Sequence, residues 1–176
     1  MYFEKKEIYD EIMFMKNVAY VVMRMSVIHP ISKHYVLTGG FFPSCFNSEE
    51  VRDIDIYIIA PPQDIKSWLR QYGNVDRNEI ESKYRNNPKI RAVYNFDMTY
   101  NQIPIQIILT DYRTREELLA DFDYKHCCVS YSLIDDKIYI SEEMYYAIKN
   151  KKLIVNNKDM VADYRTQKFL ERGYTV

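Results

Sequence analysis

Two aspartates, Asp53 and Asp55, stand two residues apart in the run Asp53-Ile54-Asp55-Ile56-Tyr57-Ile58-Ile59-Ala60. In an extended strand residues two apart share a face, so these carboxylates project side by side. Two carboxylates held that close repel one another unless a cation sits between them. Hard oxygen ligands of this kind suit Mg²⁺, which one or two carboxylates hold together with substrate phosphates. Upstream, separated from Asp53 by the residues 41–52, lies the pair Gly39-Gly40, half of the 4 glycines in the chain. Lacking Cβ atoms, the pair can take tight or positive-φ geometry and let phosphates approach its N–H groups. A phosphate cradle beside a Mg²⁺ site is the equipment of phosphoryl or nucleotidyl transfer, where the cation polarises the phosphate and activates an attacking hydroxyl.

These residues need elements to hold them. His34 to Thr38 is a short apolar run ending at the glycine pair, hence a strand running into a turn. A loop follows from Phe41 to Arg52, and Asp53 to Ala60 alternates with a period of two, which is a strand closed by Pro61-Pro62. Before them, Ile8, Ile12, Met15, Val18, Val22 and Met25 recur at threes and fours, predicting a helix from Phe3 to Ile28 that Pro30 stops. Gln63 to Tyr72 reads as a helix closed by Gly73, and Val75 to Lys89 is polar and unpatterned. Ile90 to Thr99 and Ile103 to Leu109 read as a hairpin turning at Tyr100-Asn101-Gln102. Thr114 with Glu117 forms a capping box for a helix to Ala120. Cys127 to Leu133 and Lys137 to Ile140 form a second hairpin around Asp135-Asp136. Ser141 caps a helix to Asn150, and a last helix runs from Asp159 to Arg172 and stops at Gly173. Strands mixed with helices in this order, without repeat or linker, make one α+β domain over residues 1–176.

Gly39-Gly40, the spacing that follows, and Asp53-x-Asp55 between aliphatic residues are similar to the signature of the polymerase β-like nucleotidyltransferase superfamily. That superfamily includes CCA-adding enzymes, poly(A) polymerases, antibiotic nucleotidyltransferases and minimal toxin–antitoxin members. The order of elements extends the likeness to about Thr110. The resemblance implies a small mixed sheet flanked by helices, Mg²⁺ as cofactor and a nucleoside triphosphate as substrate. It makes Asp53 and Asp55 the catalytic, metal-holding acids and Gly39 and Gly40 the frame for the phosphates. Ser44 and Arg52 either reach the triphosphate from the loop or are an ordinary polar residue and a surface charge. The superfamily's third acid falls on Gln106, within Ile103-Pro104-Ile105-Gln106-Ile107-Ile108-Leu109. Glutamine accepts a hydrogen bond but is a poor metal ligand and no base. Asp97, on the paired strand, is a nearby alternative carboxylate, whereas Asp111 lies past the strand end. Phe122-Asp123 with Cys127, and Tyr164-Arg165 to Arg172-Gly173-Tyr174, look like a pattern of compact viral and phage proteins. They imply a minimal member of that type.

With 47% hydrophobic residues in 176 and a net charge of −1, the chain has material for a core, which excludes intrinsic disorder and an overall basic nucleic-acid binder. No apolar run is long enough for a membrane span, and the N-terminus lacks the pattern of a signal peptide. Cys45, Cys127 and Cys128 lack CxxC spacing and read as small buried residues of a reducing, cytoplasmic protein, with zinc at His126 the lesser reading. Arg165, Lys168 and Arg172 form a helical stripe that reads as a solvated face, with contact to a nucleic-acid acceptor the lesser reading. The expected reaction is transfer of a nucleotidyl group to a hydroxyl acceptor on an RNA end, a protein or a small molecule. The competing reading is a catalytically silent relative that binds a partner protein or nucleic acid.

Overall fold

Alternation along the aspartate strand divides the molecule. Ile54, Ile56 and Ile58 of β2 (Ile54–Ile58) are fully buried in the main core, whereas Asp55 and Tyr57 face the other side of the sheet. The computed structural model describes residues 5–26, 34–75, 87–100 and 103–176. Around β2 run β1 (Tyr35–Thr38), β3 (Gly73–Val75), β4 (Ile90–Tyr100), β5 (Ile103–Thr110), β6 (Ser130–Ser132) and β7 (Lys137–Tyr139), in the order β3-β4-β5-β2-β1-β6-β7. Among the described residues β2 and β5 pair in parallel, and the other strand pairs are antiparallel. The result is an α+β fold with a mixed sheet flanked by helices.

The first helix, α1 (Lys6–Ser26), buries Ile12, Met15 and Val22 of the expected stripe, while Ile8 and Val18 pack at its margin. Phe3, Ile28 and Pro30, which bound the helix in the sequence reading, lie outside the described residues. The expected loop from Phe41 to Arg52 instead begins with a helix, α2 (Phe41–Phe46), which buries Phe41, Phe42 and Phe46. Six residues are too few to display a helical period, so the sequence pattern missed it. After α3 (Ile65–Tyr72), Gly73 does more than end the helix: it opens β3 and pairs with Phe96. Most of the unpatterned stretch, residues 76–86, lies outside the described residues, as do Asn101 and Gln102 of the first hairpin.

In the second half, Thr114 Oγ1 accepts from the Glu117 N–H at 3.1 Å and caps α4 (Arg115–Ala120). The reciprocal bond of a capping box is shifted by one residue, since the Glu117 carboxylate accepts from the Arg113 N–H at 3.2 Å. It also pairs with Lys89. The strand expected from Cys127 begins only at Ser130, because Lys125–Cys127 form a 3-10 turn. Ser141 Oγ accepts from the Met144 N–H at 3.1 Å and caps α5 (Glu142–Lys149). The last helix is shorter than expected, α6 (Asp163–Glu171), with a separate 3-10 turn at Lys158–Met160. Gly173, at φ +93°, ends it as the sequence predicts. Among the described residues no helix is long and apolar enough to cross a membrane.

Candidate functional site

Register carries the site across the sheet. Asp55 on β2 lies opposite Thr38 of β1 on one side and Gln106 of β5 on the other, and Gln106 lies opposite Asn95 of β4. Thr38 Oγ1 donates to the Val129 carbonyl at 2.7 Å. Gln106 Nε2 donates to Asn95 Oδ1 at 3.0 Å, while Gln106 Oε1 is buried without a hydrogen-bond partner. Where a third carboxylate was sought, the structure therefore places an amide bonded to a second amide. The residue paired with Gln106 is Asn95 and not Asp97, whose side chain lies outside the described residues. Asp111 pairs with Arg91 at 3.4 Å, at a separate hollow by Pro61 and Pro62.

At the end of β1 the two glycines differ. Gly39 sits at φ +82°, where an L side chain is strained, although a Cβ there would meet Asp55 Oδ2 only at an ordinary 3.7 Å. Gly40 has φ −69°, which any residue adopts, and nothing lies within 4 Å of where its Cβ would stand. Conformation requires the first glycine, and open space lies before the second. That space belongs to a cleft of about 830 Å³, within the range of small-molecule sites. Gly39, Gly40, Ser44, Arg52, Asp53 and Asp55 all line it. Ser44 reaches it from α2, where its N–H donates to the Gly40 carbonyl at 3.2 Å.

Another part of the lining is one that the sequence did not reveal. Arg165, Lys168 and Arg172 line the same cleft, together with His126, Phe169 and Tyr174. The stripe read as a solvated face is thus half-buried and borders the cleft. The reason is Asp123, only 5% exposed, whose Oδ2 accepts from Arg165 Nε at 2.6 Å. A buried carboxylate needs a counter-ion, and α6 supplies it. Beside this pair Tyr124, Cys127, Phe169 and Tyr174 form a small core. His126 packs among them, 4.4 Å from the Phe169 ring and 4.3 Å from the Tyr174 ring. Both of its ring nitrogens are buried without partners, and burial pushes its pKa down to about 3. A signal was present in the spacing of Phe169 among the basic residues, since an aromatic inside a basic stripe marks a face that packs.

The donor set fits Mg²⁺ in part. Asp53 and Asp55 open onto a cleft with room for phosphates, which suits a cation that arrives with its nucleotide. Among the described residues no group of three or more His, Cys, Asp or Glu is placed to hold a metal ion, and Gln106 withholds the third ligand. His126 and the neighbouring thiols form no such group either, and burial pushes the Cys127 and Cys128 thiols up to about 12.

Comparison with solved structures shows a nucleotidyltransferase fold. The chain is similar to the Thermotoga maritima CCA-adding enzyme complexed with tRNA, at 14% identity and a TM-score of 0.57, covering 90% of this chain and 39% of that one. It is also similar to a CCA-adding enzyme in complex with CTP, at 14% identity and a TM-score of 0.56, covering 89% and 40%. A tRNA-processing enzyme with CTP gives 14% identity and a TM-score of 0.55, covering 87% and 40%. The chain thus spans about two fifths of the length of these solved relatives. No curated protein matches its sequence significantly. A family model described as Gabija anti-defense 2 family protein matches residues 2–151.

Proposed function

The chain belongs to the Gabija anti-defense 2 family, and from that premise we propose that it exerts an anti-defense role by Mg²⁺-dependent nucleotidyl transfer. A nucleoside triphosphate is the donor, and a hydroxyl on an RNA end, a protein or a small molecule is the acceptor. The observation that carries this reading is the opening of Asp53 and Asp55 onto the cleft beside Gly39 and the clear space before Gly40. When bound, the cation supplies charge neutralisation and polarisation of the phosphate. Asp53 and Asp55 hold it, and Gly39, Gly40 and Ser44 frame the phosphates. The acceptor oxygen bonds to the α-phosphorus while pyrophosphate leaves with the electron pair of the broken bond. Gln106 cannot take the hydroxyl proton, which passes to a β2 aspartate or to water. The whole chain acts as one domain, and its three free thiols suit a reducing cytoplasm. An anti-defense family accords with a phage or viral source.

A second reading rests on one specific observation. The bond from Gln106 to Asn95 occupies the place of the third acid, which favours a protein that binds a nucleotide or partner without transferring anything. Incubation with each labelled nucleoside triphosphate, Mg²⁺ or Mn²⁺, and host RNA and protein separates the two. Label transferred by the wild type and lost in Asp53→Asn and Asp55→Asn establishes the enzyme. No transfer by the wild type, with calorimetric nucleotide binding intact, leaves the binding module.

A further inference from the structure

The C-terminal end of α6 is tied to the loop that leads into β2. Lys151 Nζ pairs with Glu49 Oε1 at 3.0 Å and donates to the Arg172 carbonyl at 2.9 Å. The Thr175 N–H donates to the Lys151 carbonyl at 2.9 Å, and Lys152 bridges to Thr175. These bonds fix the backbone of Arg172 against the segment that carries Arg52, so two guanidiniums from distant parts of the chain line one cleft beside Asp53. Among the described residues neither has a carboxylate within ion-pair distance. Burial and the repulsion of Arg52 hold the Arg172 pKa below its ordinary value, although Asp53 and Glu49 pull it the other way. Two guanidiniums that line one cleft with no carboxylate in ion-pair distance offer their N–H groups to an anion that enters it. Guanidiniums bind phosphate oxygens through forked, charge-assisted bonds.

We propose that Arg52 and Arg172 form a seat for the terminal phosphates of a nucleoside triphosphate, with Lys151 as the strap that holds the seat together. The inference rests on the nucleotide reading of the cleft and names how that site distinguishes a triphosphate from a monophosphate. It assigns a role to residues 152–176, which lie beyond the part matched by the family model.

Calorimetric titration of the full chain in Mg²⁺ tests this, with inorganic tripolyphosphate, a nucleoside triphosphate, the monophosphate and a short RNA as probes. Arg52→Gln and Arg172→Gln each weaken tripolyphosphate and triphosphate binding by about tenfold or more, the loss of a charge-assisted bond. They leave monophosphate binding unchanged, and Arg172→Lys restores part of the loss. Neither change touches the strap, which holds the Arg172 main chain, so thermal melting does not fall below that of the wild type. Unchanged tripolyphosphate affinity overturns the seat. A monophosphate affinity that falls in step overturns it too, and so does a loss confined to RNA. If tripolyphosphate binding depends on both arginines while no label is ever transferred, the seat stands and the transferase reading falls.

Discussion

Acid should loosen the C-terminal wall of the cleft through His126, and the magnitude follows from its burial. In the unfolded chain an imidazole takes up a proton below about pH 6.5. In the folded protein His126 stays neutral down to about 3. Between those values the unfolded state binds more protons, so stability falls as pH falls, by about 1.4 kcal/mol per pH unit. Above the upper value the residue is neutral in both states and contributes no slope. From about pH 6.5 to about pH 5 the loss is therefore roughly 2 kcal/mol, a large fraction of typical domain stability. Asp123, Arg165 and Arg172 also act on the ring, but burial is the largest influence. His126→Phe keeps the stacking against Phe169 and Tyr174 and removes two partnerless nitrogens. The variant should match the wild type at neutral pH or exceed it by about 1 kcal/mol. The assay is urea unfolding of both proteins at several values from about pH 7.5 to about pH 5, with the difference between them plotted against pH. Subtraction removes the carboxylates common to both. A difference that stays flat across this range would refute the reasoning.

Gly39→Ala should cost about 1–2 kcal/mol, because an L residue is strained at its positive φ, and the midpoint of chemical denaturation reads this directly. Gly40→Ala should leave stability within about 0.5 kcal/mol, because its φ is ordinary and its Cβ meets nothing. A bulkier Gly40→Leu then lowers triphosphate affinity without lowering the melting temperature, since the added side chain occupies the open space of the cleft. Arg165→Met leaves Asp123 buried without its counter-ion and should destabilise by about 3 kcal/mol, measured by the same unfolding experiment. A second change, Asp123→Asn, recovers part of that loss if the ion pair is the cause.

The strand β2 and the glycine turn before it were legible because their signals are local. A period of two marks Ile54 to Ile58 as a strand, with Asp55 inside it and Asp53 just before it, and Gly39 declares its backbone through the absence of a Cβ. The α+β class followed for the same reason, since α1, β2, the β4–β5 hairpin and the caps of α4 and α5 each report on neighbours in sequence. What escaped had a different cause. Helix α2 is too short for a period, and Gly73 looks the same whether it ends a helix or starts a strand. The partner of Gln106 depends on a hairpin register that one residue of slippage would reverse, so Asn95 replaced Asp97 only in three dimensions.

The sequence by itself determined where two closely spaced carboxylates stand and that the chain turns sharply at Gly39, because both follow from residue type within a few positions. Only the tertiary structure decided what else lines the cleft. Asp123 and Arg165 are far apart in the chain, and nothing local says that burial of one demands the other. Their pairing sets the basic face of α6 at the border of the cleft, and Lys151 brings Arg172 toward Arg52. Long-range electrostatic pairing in a buried place assembled this part of the lining, and residue spacing carries no record of it.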